Sequence, residues 1–247
     1  MHQETYFEQA MEQSLIEHGG FQHGDAGGFD PVRALFPEEV IAFVSASQPE
    51  RWQSLVKLHG DKAGEVLLGS LVKELASKNA LHVLRHGFKC FGKTFRLAYF
   101  APNTGMNPEA AAAYGHNRLR VTRQVHFSEK YPKKSLDMVL SVNGLPVVTL
   151  ELKNPMTSQT VDEAMRQYRC DRDPAEPIFR FKERALVHFA VDPDQAFMTT
   201  CLAGDDTRFL PFNRGYHFGA GNPPAEAGGY RTGYLWEQVL TRDSLMD

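Results

Sequence analysis

Two β-rich runs joined by Asn143-Gly144 constrain the fold of this chain more than any other feature. The runs are LDMVLSV and PVVTLELK, and the Asn-Gly dipeptide between them is typical of a tight antiparallel turn. A two-residue turn would put Asp137 and Glu151 on opposite faces of the hairpin. A three-residue loop, with Val142 facing Pro146, would place Asp137 directly opposite Glu151, with Cβ atoms about 5 Å apart. A shared site therefore requires the longer loop.

Three charged side chains would lie on one face of that hairpin. Lys153 follows Glu151 by two residues, so it points to the same face roughly 6.6 Å further along the strand, while Leu150 and Leu152 point into the core. Buried charges are costly unless they are paired or bind a metal. Carboxylates that hold Mg²⁺ beside a lysine suit hydrolysis of a phosphodiester. The spacing alone leaves open an exposed, salt-bridged hairpin without catalytic function.

The rest of the chain reads as helices followed by strands. An amphipathic helix is predicted before Gly19-Gly20, and the region 37–78 predicts three helices that begin near Pro37, Pro49 and Ala63. A later helix, TVDEAMRQYRCDR, starts with a predicted capping box of Thr160 and Glu163. The predicted strands are TFRLAYF, RVTRQVHF, LDMVLSV, PVVTLELK, ALVHFAV and AFMTTCL. This order indicates a mixed α/β fold.

Composition limits the function classes. The net charge of -3 and the pI of about 6.4 argue against bulk electrostatic binding to nucleic acid, so any DNA contact should be local. Three widely spaced cysteines and the absence of a secretory signal pattern favour the cytoplasm, and no apolar run reaches the roughly 18 to 20 residues of a membrane span. One local cationic patch is a candidate, with an ordinary solvated face as the alternative: Arg118, Arg120, Arg123, Lys130, Lys133 and Lys134.

The hairpin and its flanks resemble a known family, the N-terminal nuclease domain of the R subunit of type I restriction-modification enzymes. The segment LDMVLSVNGLPVVTLELKNPMTSQTVDEAMRQYRCDRDP carries the resemblance, which continues through ALVHFAVD and FMTTCLAGDDTRFLPFNRG and covers about residues 80–247. It implies a restriction-endonuclease-like PD-(D/E)xK fold, a mixed β-sheet flanked by helices. Asp137, Glu151 and Lys153 match its catalytic motif, and the resemblance implies Asp137, Glu151 and Leu152 as magnesium ligands.

Two further positions are similar to family features. Glu8, on the first helix, lies where such nucleases place an additional metal-associated acid, although a solvated helix face is an equal alternative. Gln167 resembles the glutamine of a Gln-x-x-x-Tyr element. Here Asp171 stands in place of the tyrosine and Tyr168 adjoins the glutamine, so Tyr168 could equally serve in helix packing.

The resemblance also implies an organisation and partners. We expect a single nuclease domain over 1–247, with a helical elaboration at about 29–80, a catalytic sheet core at 81–213, and a Gly-rich loop and linker helix at 214–247. The longer R subunit would continue into an ATP-driven motor domain, so ATP enters only there. Expected partners are double-stranded DNA and the modification and specificity subunits, with no membrane. Segments 101–117 and 214–233 are candidate subunit contacts.

Two alternatives come from other classes. Gly87–Thr94 matches the phosphate-loop pattern G-x-x-x-x-G-K-[ST], which would indicate an ATPase, with Asp192 at the end of a strand as a metal residue. The aromatic run after Thr94 favours a β-turn at Gly92 instead, because a phosphate loop must lead into a helix. The second alternative is a non-catalytic module that docks DNA or subunits.

Overall fold

The computed structural model describes residues 2–102, 107–154, 160–225 and 228–247, with side chains from residue 6 onward. Its helices are α1 His2–Glu17, α2 Pro37–Ser47, α3 Pro49–His59, α4 Ala63–Lys78, α5 Ala80–His86, α6 Pro108–Gly115, α7 Val161–Cys170 and α8 Arg242–Leu245. Its strands are β1 Gln22–His23, β2 Phe88–Cys90, β3 Lys93–Phe95, β4 Leu119–His126, β5 Ser135–Val142, β6 Leu145–Leu152, β7 Val187–Val191, β8 Ala196–Thr199 and β9 Leu210–Pro211.

The centre of the fold is a seven-stranded mixed sheet in the order β1-β4-β5-β6-β7-β8-β9. β1 runs parallel to β4 and β6 runs parallel to β7, whereas the other neighbours are antiparallel. β2 and β3 form a separate hairpin. This arrangement confirms the predicted mixed α/β class with helices beside the sheet.

The two sheet faces bury different helices. Phe7 and Met11 of α1 share one apolar cluster with Met138 and Leu150, together with the helical layer α2–α5. Tyr168 of α7 packs on the opposite side in a cluster that contains Val139. Side chains alternate along a strand, so neighbouring residues of β5 and β6 face different helical layers.

Local signals placed most helices correctly. The predicted helices at 37–78 are confirmed as α2, α3 and α4, and Pro37 and Pro49 lie in the first turns of α2 and α3, where a missing N–H costs nothing. The predicted capping box of α7 is wrong, because the Thr160 side chain makes no capping hydrogen bond. Asp192, from the end of β7, accepts the Val161 N–H instead at 2.9 Å.

The turn between β5 and β6 has two residues, so the predicted three-residue loop with Val142 facing Pro146 is wrong. Val142 pairs with Leu145, and both turn residues have positive φ, 50° and 84°, as the hairpin turn requires. The register shifts between Leu140 and Ser141, opposite a bulge in β6. Past the bulge, Met138 pairs with Leu150, and this register continues to Asp137 beside Glu151. A bulge in the strand therefore produces the pairing that the longer loop was expected to produce.

One other prediction needs correction, and one falls partly outside the described residues. The run TFRLAYF was predicted as a strand, but only its beginning belongs to β3, which ends at Phe95. The candidate contact segment 101–117 contains α6, and its residues 103–106 lie outside the described residues. None of the helices in the described part of the chain combines the length and hydropathy needed to span a bilayer.

Candidate functional site

Asp137 sits on β5 with its carboxylate held from the neighbouring strand. Its Oδ2 accepts a hydrogen bond from the Leu152 N–H at 2.8 Å and lies 3.8 Å from Lys153 Nζ. Both side chains are mostly buried, with 15% of Asp137 and 12% of Lys153 exposed. The register of the hairpin thus brings the predicted aspartate and lysine together at the carboxyl end of β6.

Glu151 is completely buried on β6 and has one paired and one unpaired oxygen. Oε1 lies 2.7 Å from both Nε and Nη2 of Arg172. Oε2 is buried and has no hydrogen-bond partner among the described residues. Burial, with the charge of Asp137 as the second cause, raises the pKa of Glu151 to about 8, although Arg172 opposes the shift. An unpaired buried carboxylate oxygen is an unusual feature that a cation would satisfy.

Leu152 can contribute only its main chain to a metal site. Its side chain is buried in the same cluster as α1, as the alternation of β6 predicted. Its N–H orients Asp137, and its carbonyl oxygen is the one donor that a leucine offers a cation. Asp137 therefore contacts the Leu152 N–H and lies near Lys153, and its charge acts on Glu151.

Glu8 lies on α1, which packs on the face of the sheet opposite to α7. Its buried carboxylate accepts from Arg123 Nη2 at 2.8 Å, and Gln124 Nε2 lies 3.4 Å away. Burial and, second, the charge of Asp137 raise the pKa of Glu8, whereas Arg123 opposes this. Glu8 is therefore not on a solvated helix face, and it lies within electrostatic reach of Asp137.

Gln167 and Tyr168 differ in how the structure uses them. Gln167 has a buried Oε1 with no partner among the described residues. Tyr168 is fully buried, and its hydroxyl lies 2.8 Å from Thr149 Oγ1, which in turn is 2.7 Å from Nδ1 of His188. The sequence left packing as one possibility for Tyr168, and the structure shows a buried hydrogen-bonded packing position directly behind the carboxylates.

The comparisons with known proteins bear on this geometry. A sequence model of the family described as type I restriction enzyme R protein N terminus matches residues 45–207, more than half of the chain. The chain belongs to this family. It is also similar to the type I restriction enzyme HindI endonuclease subunit of Haemophilus influenzae, with 24% identity over 204 residues that cover 80% of the chain. The chain spans 18% of the length of that relative, and no solved structure matches the chain significantly.

Within this R protein N terminus, sequence reasoning missed Arg172. It is almost completely buried, it binds Glu151, and its Nη2 donates to the Ser135 carbonyl at 2.8 Å. A spacing signal existed: Tyr168 and Arg172 are four residues apart, and so would share a helix face towards the strand that carries Glu151. The signal could not reveal the partner, because α7 and β6 meet only in the tertiary structure.

The predicted cationic patch of this R protein N terminus is largely engaged by ion pairs. Arg120 Nη2 lies 3.0 Å from Glu39, and Arg123 pairs with Glu8 and Glu12. Arg118 is the exception among the arginines, because its nearest carboxylate oxygen, on Glu39, is 3.9 Å away. Among the arginines of this segment, Arg118 is therefore the most available for a contact outside the chain.

The phosphate-loop alternative is wrong. Residues 88–90 and 93–95 form the β2–β3 hairpin, with Gly92 at φ 75° in its turn, so no helix follows the glycine-rich segment. Asp192 is occupied as well: its Oδ2 accepts from Val161 N–H, and its Oδ1 accepts from the N–H groups of Asp194 and Gln195. These residues support the turn and α7 rather than a nucleotide.

A metal ion at this site would be held by two carboxylates and a main-chain oxygen. No group of three or more His, Cys, Asp or Glu side chains in the described part of the chain could enclose a metal. Magnesium does not need such a group, because it keeps several water ligands and is commonly held by one or two carboxylates. The donor set at Asp137, Glu151 and Leu152, with Oε2 of Glu151 unpaired, fits a hard cation of this kind.

Proposed function

We propose that this R protein N terminus is a magnesium-dependent nuclease domain of the PD-(D/E)xK type that hydrolyses phosphodiester bonds of double-stranded DNA. The observation that carries the proposal is the convergence of Asp137, Glu151 and Lys153, with an unpaired buried Oε2 on Glu151. The seven-stranded mixed sheet with helices on both faces supports a fold of the restriction-endonuclease type.

The roles of the residues follow from their contacts. Asp137, Oε2 of Glu151 and the Leu152 carbonyl would hold Mg²⁺. When bound, the ion supplies an activated water and neutralises charge on the phosphate. The Leu152 N–H fixes the orientation of the Asp137 carboxylate, and the Lys153 ammonium can orient the attacking water or offset charge that develops on the phosphate. Glu8 and Gln167 are proposed as accessory residues near this centre.

The wider assembly is proposed on the family likeness. The printed relative is an endonuclease subunit far longer than this chain. We propose that DNA cleavage is coupled to ATP-driven translocation by a motor domain elsewhere in the R subunit. The modification and specificity subunits would select the DNA site. We place the enzyme in the cytoplasm, where Cys90, Cys170 and Cys201 would stay free, as they are here.

The test is DNA cleavage by the complete enzyme with its partner subunits, ATP and Mg²⁺. Asp137→Asn keeps an oxygen that can accept from Leu152 N–H but removes the charge, and Lys153→Ala removes the ammonium. Both variants should lose cleavage by at least a hundredfold while ATP hydrolysis and translocation continue. Asp162→Asn, at an exposed position on α7, is the matched control and should cut normally. Undiminished cleavage by both site variants would mean that the hairpin is structural and that the active site lies elsewhere.

A further inference from the structure

Two contacts, one helical turn apart, tie α7 and the residues that follow it to β6. Thr149 and Glu151 are two residues apart and share a face of β6. Tyr168 and Arg172 are four residues apart. The Tyr168 hydroxyl lies 2.8 Å from Thr149 Oγ1, and Arg172 Nε lies 2.7 Å from Glu151 Oε1. Arg172 comes two residues after the end of α7, and Tyr168 holds α7 against the strand that carries the carboxylate.

The guanidinium of Arg172 is fixed by more than Glu151. Its Nη2 also donates to the carbonyl of Ser135, two residues before Asp137 on β5. The group lies 5.2 Å from the ring centroid of Phe127, in a cation–π contact, and its side chain is 3% exposed. An arginine held by a strand carbonyl, an aromatic ring and a carboxylate has little freedom to swing away.

The guanidinium makes an asymmetric contact with the carboxylate. Nε and Nη2 both approach Oε1, and Oε2 of the same carboxylate is left buried without a partner among the described residues. Because a carboxylate is rigid and planar, fixing Oε1 also fixes the direction of Oε2. Asp137 and the Leu152 main chain, which are hydrogen-bonded to each other, are the other elements of the proposed magnesium site.

We propose that Arg172 is a positioning residue that holds Oε1 of Glu151 so that Oε2 is presented to a divalent cation, with Tyr168 holding α7, the helix that ends just before Arg172. The inference rests on the proposed function, since it assigns the cation to the same site. It excludes the opposite role, in which Arg172 substitutes for the cation and must leave before the cation binds, because the contacts to Ser135 and Phe127 keep the guanidinium in place.

The experiment measures Mn²⁺ binding to the chain by electron paramagnetic resonance, which counts free Mn²⁺ and needs no DNA cleavage. Arg172→Gln should weaken binding roughly 10- to 100-fold, the range observed when a residue that orients a metal ligand is removed. Arg172→Lys keeps a cation near Oε1 and should weaken binding less. Tyr168→Phe keeps the ring but loses the Thr149 contact, and should weaken binding by a smaller factor than Arg172→Gln.

Arg166→Gln is the matched control, because Arg166 lies on α7 and its ion pair among the described residues is with the exposed Glu163 on the same helix. It should bind Mn²⁺ as the wild type does. Thermal unfolding of each variant identifies any that fail to fold. If Arg172→Gln does not fold, Mn²⁺ binding by Arg172→Lys and Tyr168→Phe tests the proposal. Unchanged or tighter binding in the folded Arg172 variants overturns the positioning role but leaves the proposed nuclease site intact. Binding that Glu151→Gln does not alter overturns both.

Discussion

His188 is a fully buried histidine on β7, and its burial should make the stability of the fold depend on pH. Burial lowers the pKa of His188 from the ordinary 6.5 to about 3. Between these values the unfolded chain binds a proton at His188 that the folded chain does not bind. The stabilising contribution is therefore complete above pH 6.5 and is lost as the pH falls towards 3.

The expected magnitude follows from the shift. Each pH unit in this window changes the free energy of unfolding by about 1.4 kcal/mol, so acidification from pH 6.5 to pH 4.5 should remove up to about 2.7 kcal/mol. The titration of Glu151 changes the free energy of unfolding in the opposite direction. Its pKa is raised to about 8, so the folded chain binds the additional proton, and this contribution to stability falls as the pH rises from 4.5 to 8. The pH dependence of the wild-type free energy of unfolding would therefore combine the contributions of His188 and Glu151.

The assay is therefore a difference between two proteins. Urea unfolding of the wild type and of His188→Asn at pH 7 and pH 4.5 gives two free energies of unfolding at each pH. Asparagine retains a polar group near Thr149 but does not titrate. The gap between the proteins should shrink by up to about 2.7 kcal/mol at pH 4.5. A constant gap for His188→Asn would refute the reasoning.

Three further predictions concern the turn, the helix cap and DNA. Gly144→Ala should lower the free energy of unfolding by roughly 1 to 3 kcal/mol in urea melts. The reason is that φ is 84° at this position and a Cβ would lie 2.6 Å from the Phe36 carbonyl oxygen. An unchanged urea midpoint would contradict this. Asp192→Ala should cost about 1 to 2 kcal/mol in the same assay, because α7 loses its cap at Val161, and amide exchange at the start of α7 should accelerate. Arg118→Gln in the complete enzyme should reduce the salt slope of duplex binding by about 0.9, whereas Lys57→Gln on α3 should not; equal slopes would show that Arg118 contacts no phosphate.

Local sequence signals predicted the helices and the carboxylate hairpin because each signal acts within a few residues. Pro37 and Pro49 begin their helices through a fixed φ and a missing N–H, and both helices were predicted correctly. The Asn143-Gly144 turn was also recognised, yet its loop length was not, because a bulge further along β6 restored the register. The bulge depends on the contacts of both strands with the rest of the sheet.

Long-range contacts account for the predictions that failed. Thr160 was expected to cap α7 from within its own helix, but Asp192 supplies the cap from a strand 31 residues away. The cationic patch was left open between a DNA contact and a solvated face, and the structure brings Glu8, Glu12 and Glu39 from α1 and α2 to two of its arginines. Neither partner could be read from spacing along the chain.

The sequence by itself determined which residue types meet at the candidate site: an aspartate and a glutamate on paired strands, with a lysine two residues further on. Their β-rich runs and the Asn-Gly turn are local features, because they depend on residues that are close in the sequence. Only the tertiary structure decided that Glu151 is completely buried and that Arg172 holds just one of its oxygens. Glu151 becomes buried, and Arg172 reaches it, only when α7 packs against the sheet. The loss of water around Glu151 then raises its pKa.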